Sequence, residues 1–249
     1  MVARLARAAL AVLGISSIES FPVKSTPHIS FSTCNVAAAS AEPPPTPPAI
    51  GSTLCNTIET PSPVRSHASR NASAAASALP SASLLSATLI ASANDACHVL
   101  ADALAGSEAQ FVLQMNARAS KLGFTHFHAM NACGHDAPGH VATARELAAL
   151  ALTVMQQPRY VELSSLTQKT IHTVGRHPRE FKLVNSNALI GRYPGAAGVK
   201  TGSTPEAGLC LAAFVLRESH WVLLVLLDAP DRWWTAVAML DHAFAHAAP

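Results

Sequence analysis

The apolar positions after residue 83 fall into two rhythms, one helical and one continuous. Ala96, Val99, Leu100, Ala103 and Leu104 follow the i, i+3, i+4, i+7, i+8 spacing of one helix face, and Gly106 stands where that helix should stop. Ser107 with Gln110 three residues on has the form of a capping box. It predicts a second helix whose inner face is Val112, Met115, Ala119 and Leu122, ended by Gly123. Thr143 with Glu146 repeats the device ahead of Leu147, Leu150, Ala151 and Val154.

Further on the rhythm changes. Leu209 to Leu216 and Trp221 to Leu227 are unbroken apolar runs of strand length, separated by Arg217-Glu218-Ser219-His220, and predict a buried antiparallel hairpin. Trp233, Val237, Leu240 and Phe244 then recur on one helical face that can lie on the sheet. Helices followed by strands and a covering helix define an α+β domain, expected over residues 84–249.

Residues 1–83 have another composition: Ala, Ser and Pro make up about half of the segment, and no apolar period persists. Such a stretch cannot bury enough surface to offset its ordering entropy, so it is expected to be low-complexity and disordered, or mistranslated. Arg4, Arg7 and the apolar run Ala8 to Ile15 resemble the start of an export signal, and Ala39-Ser40-Ala41 before Pro43 to Pro48 resembles a cleavage site. A net charge of +2 with 13% charged residues gives no basic stripe and argues against a nucleic-acid partner. Cys34, Cys55, Cys97, Cys133 and Cys210 are odd in number and contain no C-x-x-C, so they are read as small buried hydrophobes, without a disulfide framework or a thiolate zinc site. No apolar run reaches the roughly 18 residues of a spanning helix.

Two short motifs carry candidate chemistry. Ser92-Ala93-Asn94 precedes the first periodic helix, where Ser and Asn are also ordinary caps. Lys200-Thr201-Gly202 follows 108 residues later, after Gly198-Val199 and before Ser203. Each alone is weak, but S-x-N and K-T-G in this order are two of the three elements of penicillin-binding proteins and serine β-lactamases. The flanks Ser92-Ala93-Asn94-Asp95-Ala96-Cys97, Asn131-Ala132-Cys133-Gly134-His135, Thr143-Ala144-Arg145-Glu146 and Asn185-Ser186-Asn187 narrow this. From Leu84 onward the chain resembles the low-molecular-weight D-alanyl-D-alanine carboxypeptidases, serine peptidases of the S11 type.

That resemblance implies a DD-peptidase/β-lactamase-like fold, a helical subdomain plus an antiparallel sheet, incomplete at its N-terminal end. It implies an exported protein of the cell envelope that acts on the D-Ala-D-Ala stem peptides of peptidoglycan, binds β-lactams and needs no cofactor or metal. By the family pattern Ser92 relays a proton, Asn94 binds the substrate amide, Lys200 supplies positive charge and Thr201 holds the substrate carboxylate. Gly202 lets substrate pair with the strand edge, the Ser203 N–H is an oxyanion donor, and Arg232 is a further candidate for the carboxylate.

The family's third element is S-x-x-K, whose Ser attacks and whose Lys is the base. No Ser in residues 1–91 has Lys three positions on: the only lysine there, Lys24, follows Phe21 at that spacing. Ser62-Pro63-Val64-Arg65 has the spacing but offers an arginine, which stays protonated. The nucleophile is therefore unknown, and the chain as written is expected to be feeble or inactive. The composition of the first third fits translation of a GC-rich gene in a shifted frame, which reading the other frames would test. Alternatives are a binding pseudoenzyme and a serine β-lactamase, though Glu146 and Glu162 are better explained by a cap and a helix surface. A zinc site around Cys133, His135, His140, His126 and His128 is set aside, because the spacing fits no H-x-x-x-H pair and the histidines are read as surface or loop-packing groups.

Overall fold

Leu84, Leu85, Leu89 and Ile90 are buried side by side although they span two kinds of helix, and that junction organises the first half of the domain. The computed structural model describes residues 76–246. The export-signal features, the Ser62–Arg65 stretch, Cys34 and Cys55 lie outside the described residues.

Helix α1 (Ser81–Ser86) runs directly into a π-helical turn (Ala87–Ala91), and α2 (Asn94–Ala105), α3 (Glu108–Lys121), α4 (Ala144–Met155) and α5 (Pro158–Ser164) follow. Gly106, at φ 81°, closes α2 as its sequence position predicted. Ser107 Oγ accepts the Gln110 N–H at 3.3 Å, one half of the anticipated capping box. At α4 both halves form: Thr143 Oγ1 accepts from Glu146 N, and Glu146 Oε2 accepts from Thr143 N. Leu147, Leu150, Ala151 and Val154 are buried as expected. Among the described residues no helix is long and apolar enough to cross a membrane.

A two-stranded hairpin, β1 (Gln168–His172) with β2 (Glu180–Val184), stands apart from a three-stranded antiparallel sheet of order β3-β4-β5. The larger sheet is built from β3 (Ala196–Thr204), β4 (Gly208–Arg217) and β5 (His220–Leu226). Strand β4 is central and alternates its burial between two cores. Cys210 and Ala212 face the helices, whereas Leu211, Ala213 and Val215 meet Ala236 and Leu240 of α6 (Arg232–Ala245). Burial on both faces is why the β4 sequence is a continuous apolar run without alternation. Trp233, Val237 and Phe244 join Leu240 on the sheet side, so α6 covers it as predicted.

One expectation is overturned. Cys97 of α2 and Cys133, 36 positions apart in sequence, form a disulfide with Cα atoms 5.9 Å apart. The spacing rules that found no framework detect local pairs, and this pair is made by tertiary packing. Among the described cysteines only Cys210 fits the earlier reading, as a buried free thiol.

Candidate active site

The stretch 84–94 is apolar enough to continue as one helix, yet it breaks at the motif. The π turn ends with Ala93 N donating to Ala87 O at 3.2 Å, and Ser92 sits in the left-handed region at φ 59°, ψ 34°. A serine there is strained by about 1–3 kcal/mol, and such departures cluster at functional positions. Ala93 then extends (φ −65°, ψ 122°) and occupies the N-cap of α2 without a side-chain capping bond. The ordinary capping role considered for Ser92 and Asn94 is thus not what the motif does. Both residues are half-buried.

Strand β3 presents the second motif. Its register with β4 sets Lys200 opposite Ala212, Thr201 opposite Leu211, Gly202 opposite Cys210 and Ser203 opposite Leu209. Lys200 is only 2% exposed, with Nζ donating to Thr201 O at 3.3 Å; Thr201 and Gly202 are also buried, and Ser203 is exposed. The strand is held from below by α5. Tyr160 Oη donates to Val199 O at 3.3 Å and Ser164 Oγ to Ala197 O at 3.1 Å. Burial pushes the Tyr160 hydroxyl far above its ordinary pKa, so it remains a donor at any physiological pH. Gly198 lets α5 approach this closely, because a side chain there would meet Ser164 Oγ and Met155 Sδ.

The two motifs are tied together by Asn185-Ser186-Asn187, which sequence reasoning had used only as a family signature. Ser186 N donates to Ile90 O, two residues before Ser92, at 3.1 Å, and Ser186 Oγ shares a 2.7 Å hydrogen bond with Thr201 Oγ1. One residue therefore touches the backbone of the S-x-N turn and the side chain of K-T-G. Its neighbours fix it: Asn185 Nδ2 donates to Ser164 O and Leu166 O, and buried Asn187 donates to Gly198 O. The signal that could have found Ser186 is a hydroxyl between two asparagines just ahead of a motif strand.

Arg232 lies at the start of α6, half-buried, with Nη1 donating to Gly202 O at 2.8 Å and Cys210 O at 3.2 Å. It is no solvated surface arginine; it clamps paired carbonyls of β3 and β4. The loop carrying Cys133 and His135 reaches the same hairpin, since Asp136 Oδ2 accepts from Glu206 N at 3.2 Å.

Glu146 is fully engaged elsewhere. Besides its cap, Oε1 accepts the His126 N–H at 2.7 Å. Burial alone would raise its pKa, but the N–H groups of Thr143 and His126 and the Thr143 hydroxyl outweigh that and hold it below 4.5. Glu162 pairs with Arg159 on the surface of α5. Neither glutamate is left to activate a water as a β-lactamase would require.

Solved structures similar to this one include a DD-transpeptidase and a penicillin-binding protein. A mutant of the Streptomyces K15 DD-transpeptidase matches with a TM-score of 0.63 at 29% identity, over 67% of this chain and 68% of that one. Penicillin-binding protein D2 of Listeria monocytogenes, in its ampicillin-bound form, matches with a TM-score of 0.57 at 33% identity, over 65% and 66%. The fold is that of the penicillin-binding DD-peptidases, α+β as expected.

The model of the D-alanyl-D-alanine carboxypeptidase family, peptidase family S11, matches residues 56–231, and the chain belongs to that family. The D-alanyl-D-alanine carboxypeptidase DacF of Bacillus subtilis is 33% identical over 165 residues, 65% of this chain and 42% of that protein. DacB2 of Mycobacterium tuberculosis, also named a D-alanyl-D-alanine carboxypeptidase, is 31% identical over 170 residues, 65% and 57% of the two chains. The chain spans about half the length of these curated relatives.

Proposed function

We propose that residues 84–249 form the ligand-recognising part of a serine D-Ala-D-Ala carboxypeptidase site, in an exported protein that meets peptidoglycan stem peptides and β-lactams. The observation that supports the reading is the Ser186 bridge, which hydrogen-bonds both the Ile90 carbonyl just ahead of S-x-N and the Thr201 hydroxyl of K-T-G. In this reading Asn94 binds the substrate amide, Thr201 and the buried Lys200 take the terminal carboxylate, and Gly202 leaves the strand edge open to an extended peptide. The N–H of Ser203 is an oxyanion donor, and Ser92 is the proton relay to the leaving nitrogen. Arg232 acts through the carbonyl of Gly202, as a positioning residue.

No serine–lysine pair of the S-x-x-K type occurs in residues 1–91, so reversible binding without turnover is the activity expected of this chain. Losing the nucleophile of a covalent hydrolase lowers turnover by about a millionfold. Titration calorimetry with penicillin and with a peptide ending in D-Ala-D-Ala tests the reading, alongside a D-alanine release assay. Saturable binding with no released D-alanine is expected, and Lys200→Ala should weaken it about a hundredfold, as removal of a buried charge from a polar site does. A covalent penicillin adduct on any serine would sink the inactive reading, and no binding of either ligand would sink the site itself.

A further inference from the structure

The charge of the domain is uneven at the β1–β2 hairpin. In residues 76–246 twelve basic and twelve acidic side chains balance, yet residues 168–184 hold four of the cations, Lys169, Arg176, Arg179 and Lys182, and one of the anions, Glu180. The rest of that stretch is acidic by the same margin. Lys169 is turned inward and half-buried, its Nζ donating to Ser86 Oγ at 3.1 Å. The other three cations are exposed, and among the described residues no carboxylate forms an ion pair with them.

The hairpin is a preformed arm whose inner face lies along α1 and the π turn. Ile171 and Leu183 are buried on that face. Three contacts give its direction: Ser186 N donates to Ile90 O just beyond its base, Lys169 Nζ to Ser86 Oγ midway, and Val174 N to Ala78 O, at 2.9 Å, near the tip. The tip therefore stands beside the residues leading into α1, at the end remote from the S-x-N turn. It is closed by its own hydrogen bonds, Thr173 N donating to Arg179 O at 2.9 Å and Arg179 N to Thr173 Oγ1 at 2.8 Å. The Arg179 guanidinium lies 5.2 Å over the Phe181 ring, which steadies it without neutralising its charge. Inside the closed tip Val174 is 64% exposed, the most exposed large apolar side chain among the described residues. Strand alternation places Lys182 and Val184, itself 58% exposed, together on the outer face.

We propose that the tip and outer face of this hairpin dock the protein on a bilayer surface carrying anionic phospholipid headgroups, with Arg176, Arg179 and Lys182 on the phosphates and Val174 in the apolar boundary. Charge complementarity selects an anionic partner: each basic side chain near such a surface strengthens binding about fivefold, and these three have no carboxylate of their own to satisfy first. The planar forks of the two arginines suit pairs of phosphate oxygens. The exposed valines select a bilayer over a dissolved polyanion, because a lipid interface takes basic and apolar side chains together and a dissolved polyanion gains nothing from the apolar ones. The docking rests on the charge and shape of the hairpin and does not depend on the peptidase reading.

Flotation of the full chain with vesicles tests it, comparing phosphatidylcholine alone with phosphatidylcholine mixed with phosphatidylglycerol. Binding should occur on the mixed vesicles only and should weaken as salt is raised. The triple variant Arg176→Gln/Arg179→Gln/Lys182→Gln should lose about a hundredfold in partitioning. Val174→Ser should lose several-fold at every salt concentration. The charge-matched variant Lys121→Gln/Arg159→Gln/Arg192→Gln, altered at exposed positions elsewhere, should bind like the unaltered chain. Circular dichroism checks that each variant keeps its fold, and the comparison of the two lipid mixtures needs no variant at all. Four results would overturn the proposal: no binding to the mixed vesicles, equal binding by the chain and its hairpin variant, equal loss in the two triple variants, or binding to soluble polyphosphate without binding to vesicles.

Discussion

The two ends of the candidate site are built on opposite principles. The K-T-G end is a strand in register with a neighbour buried on both faces, underpinned by α5 and clamped by Arg232. The S-x-N end is a break in a helix, with a serine in a left-handed conformation at the close of a π turn. One end is rigid because its packing leaves no alternative. The other holds a strained backbone that only its surroundings maintain, and the Cys97–Cys133 bond on the same helix is among them. A site that combines the two tolerates sequence change poorly at the strand and conformational change poorly at the turn.

The difference can be broken most severely at the disulfide. Opening it with Cys97→Ser and Cys133→Ser together should cost about 4 kcal/mol of unfolding free energy for a loop of this length, read from denaturant melts. The loss should appear first as faster amide exchange in α2, with β3 and β4 still protected; uniform loss of protection would show that the two ends are not separable. Ser186→Ala removes the 2.7 Å bond to Thr201 while leaving the backbone bond to Ile90. It should cost about 1 kcal/mol of stability and a several-fold loss of penicillin affinity, and an unchanged affinity would mean that the bridge does not couple the motifs.

Ser92→Gly should act with the opposite sign. Glycine adopts the left-handed region without a Cβ clash, so stability should rise by about 1 kcal/mol while ligand affinity falls with the lost hydroxyl. A fall in stability would show that the Ser92 side chain contributes more to holding the turn than its backbone strain costs.

The smallest effect is expected at Glu146, where the sign follows from its lowered pKa. A carboxylate held below its ordinary 4.5 contributes stability in full above that value, and the contribution disappears as pH falls through the lower folded value. The stability gap between the chain and Glu146→Gln should therefore be constant at neutral pH and shrink on acidification below about pH 4.5. A gap independent of pH would assign the effect to packing alone.

What the sequence revealed tracks how local the causes are. Helices α2, α3 and α4 were legible because periodicity, caps and terminal glycines all act within a few residues, and the β4–β5 hairpin because burial on both faces leaves an unbroken apolar run. The β1–β2 hairpin escaped notice: each strand has five residues, largely exposed, with one buried position apiece at Ile171 and Leu183. The π turn lies inside an apolar stretch that also suits an α-helix. The disulfide and the contacts of Ser186 join residues far apart in sequence, which neither spacing nor composition encodes. The motif residues themselves were named in advance, whereas the group connecting them was visible only in three dimensions.

Cys210 gives the strand end a built-in sensor. Its thiol is 1% exposed and sits opposite Gly202, so a thiol-blocking reagent can reach it only while β3 and β4 part. The alkylation rate at that sulfur, mapped by mass, thus clocks how often the K-T-G strand lets go, and a bound β-lactam that slows the clock would reveal its grip without any label of its own.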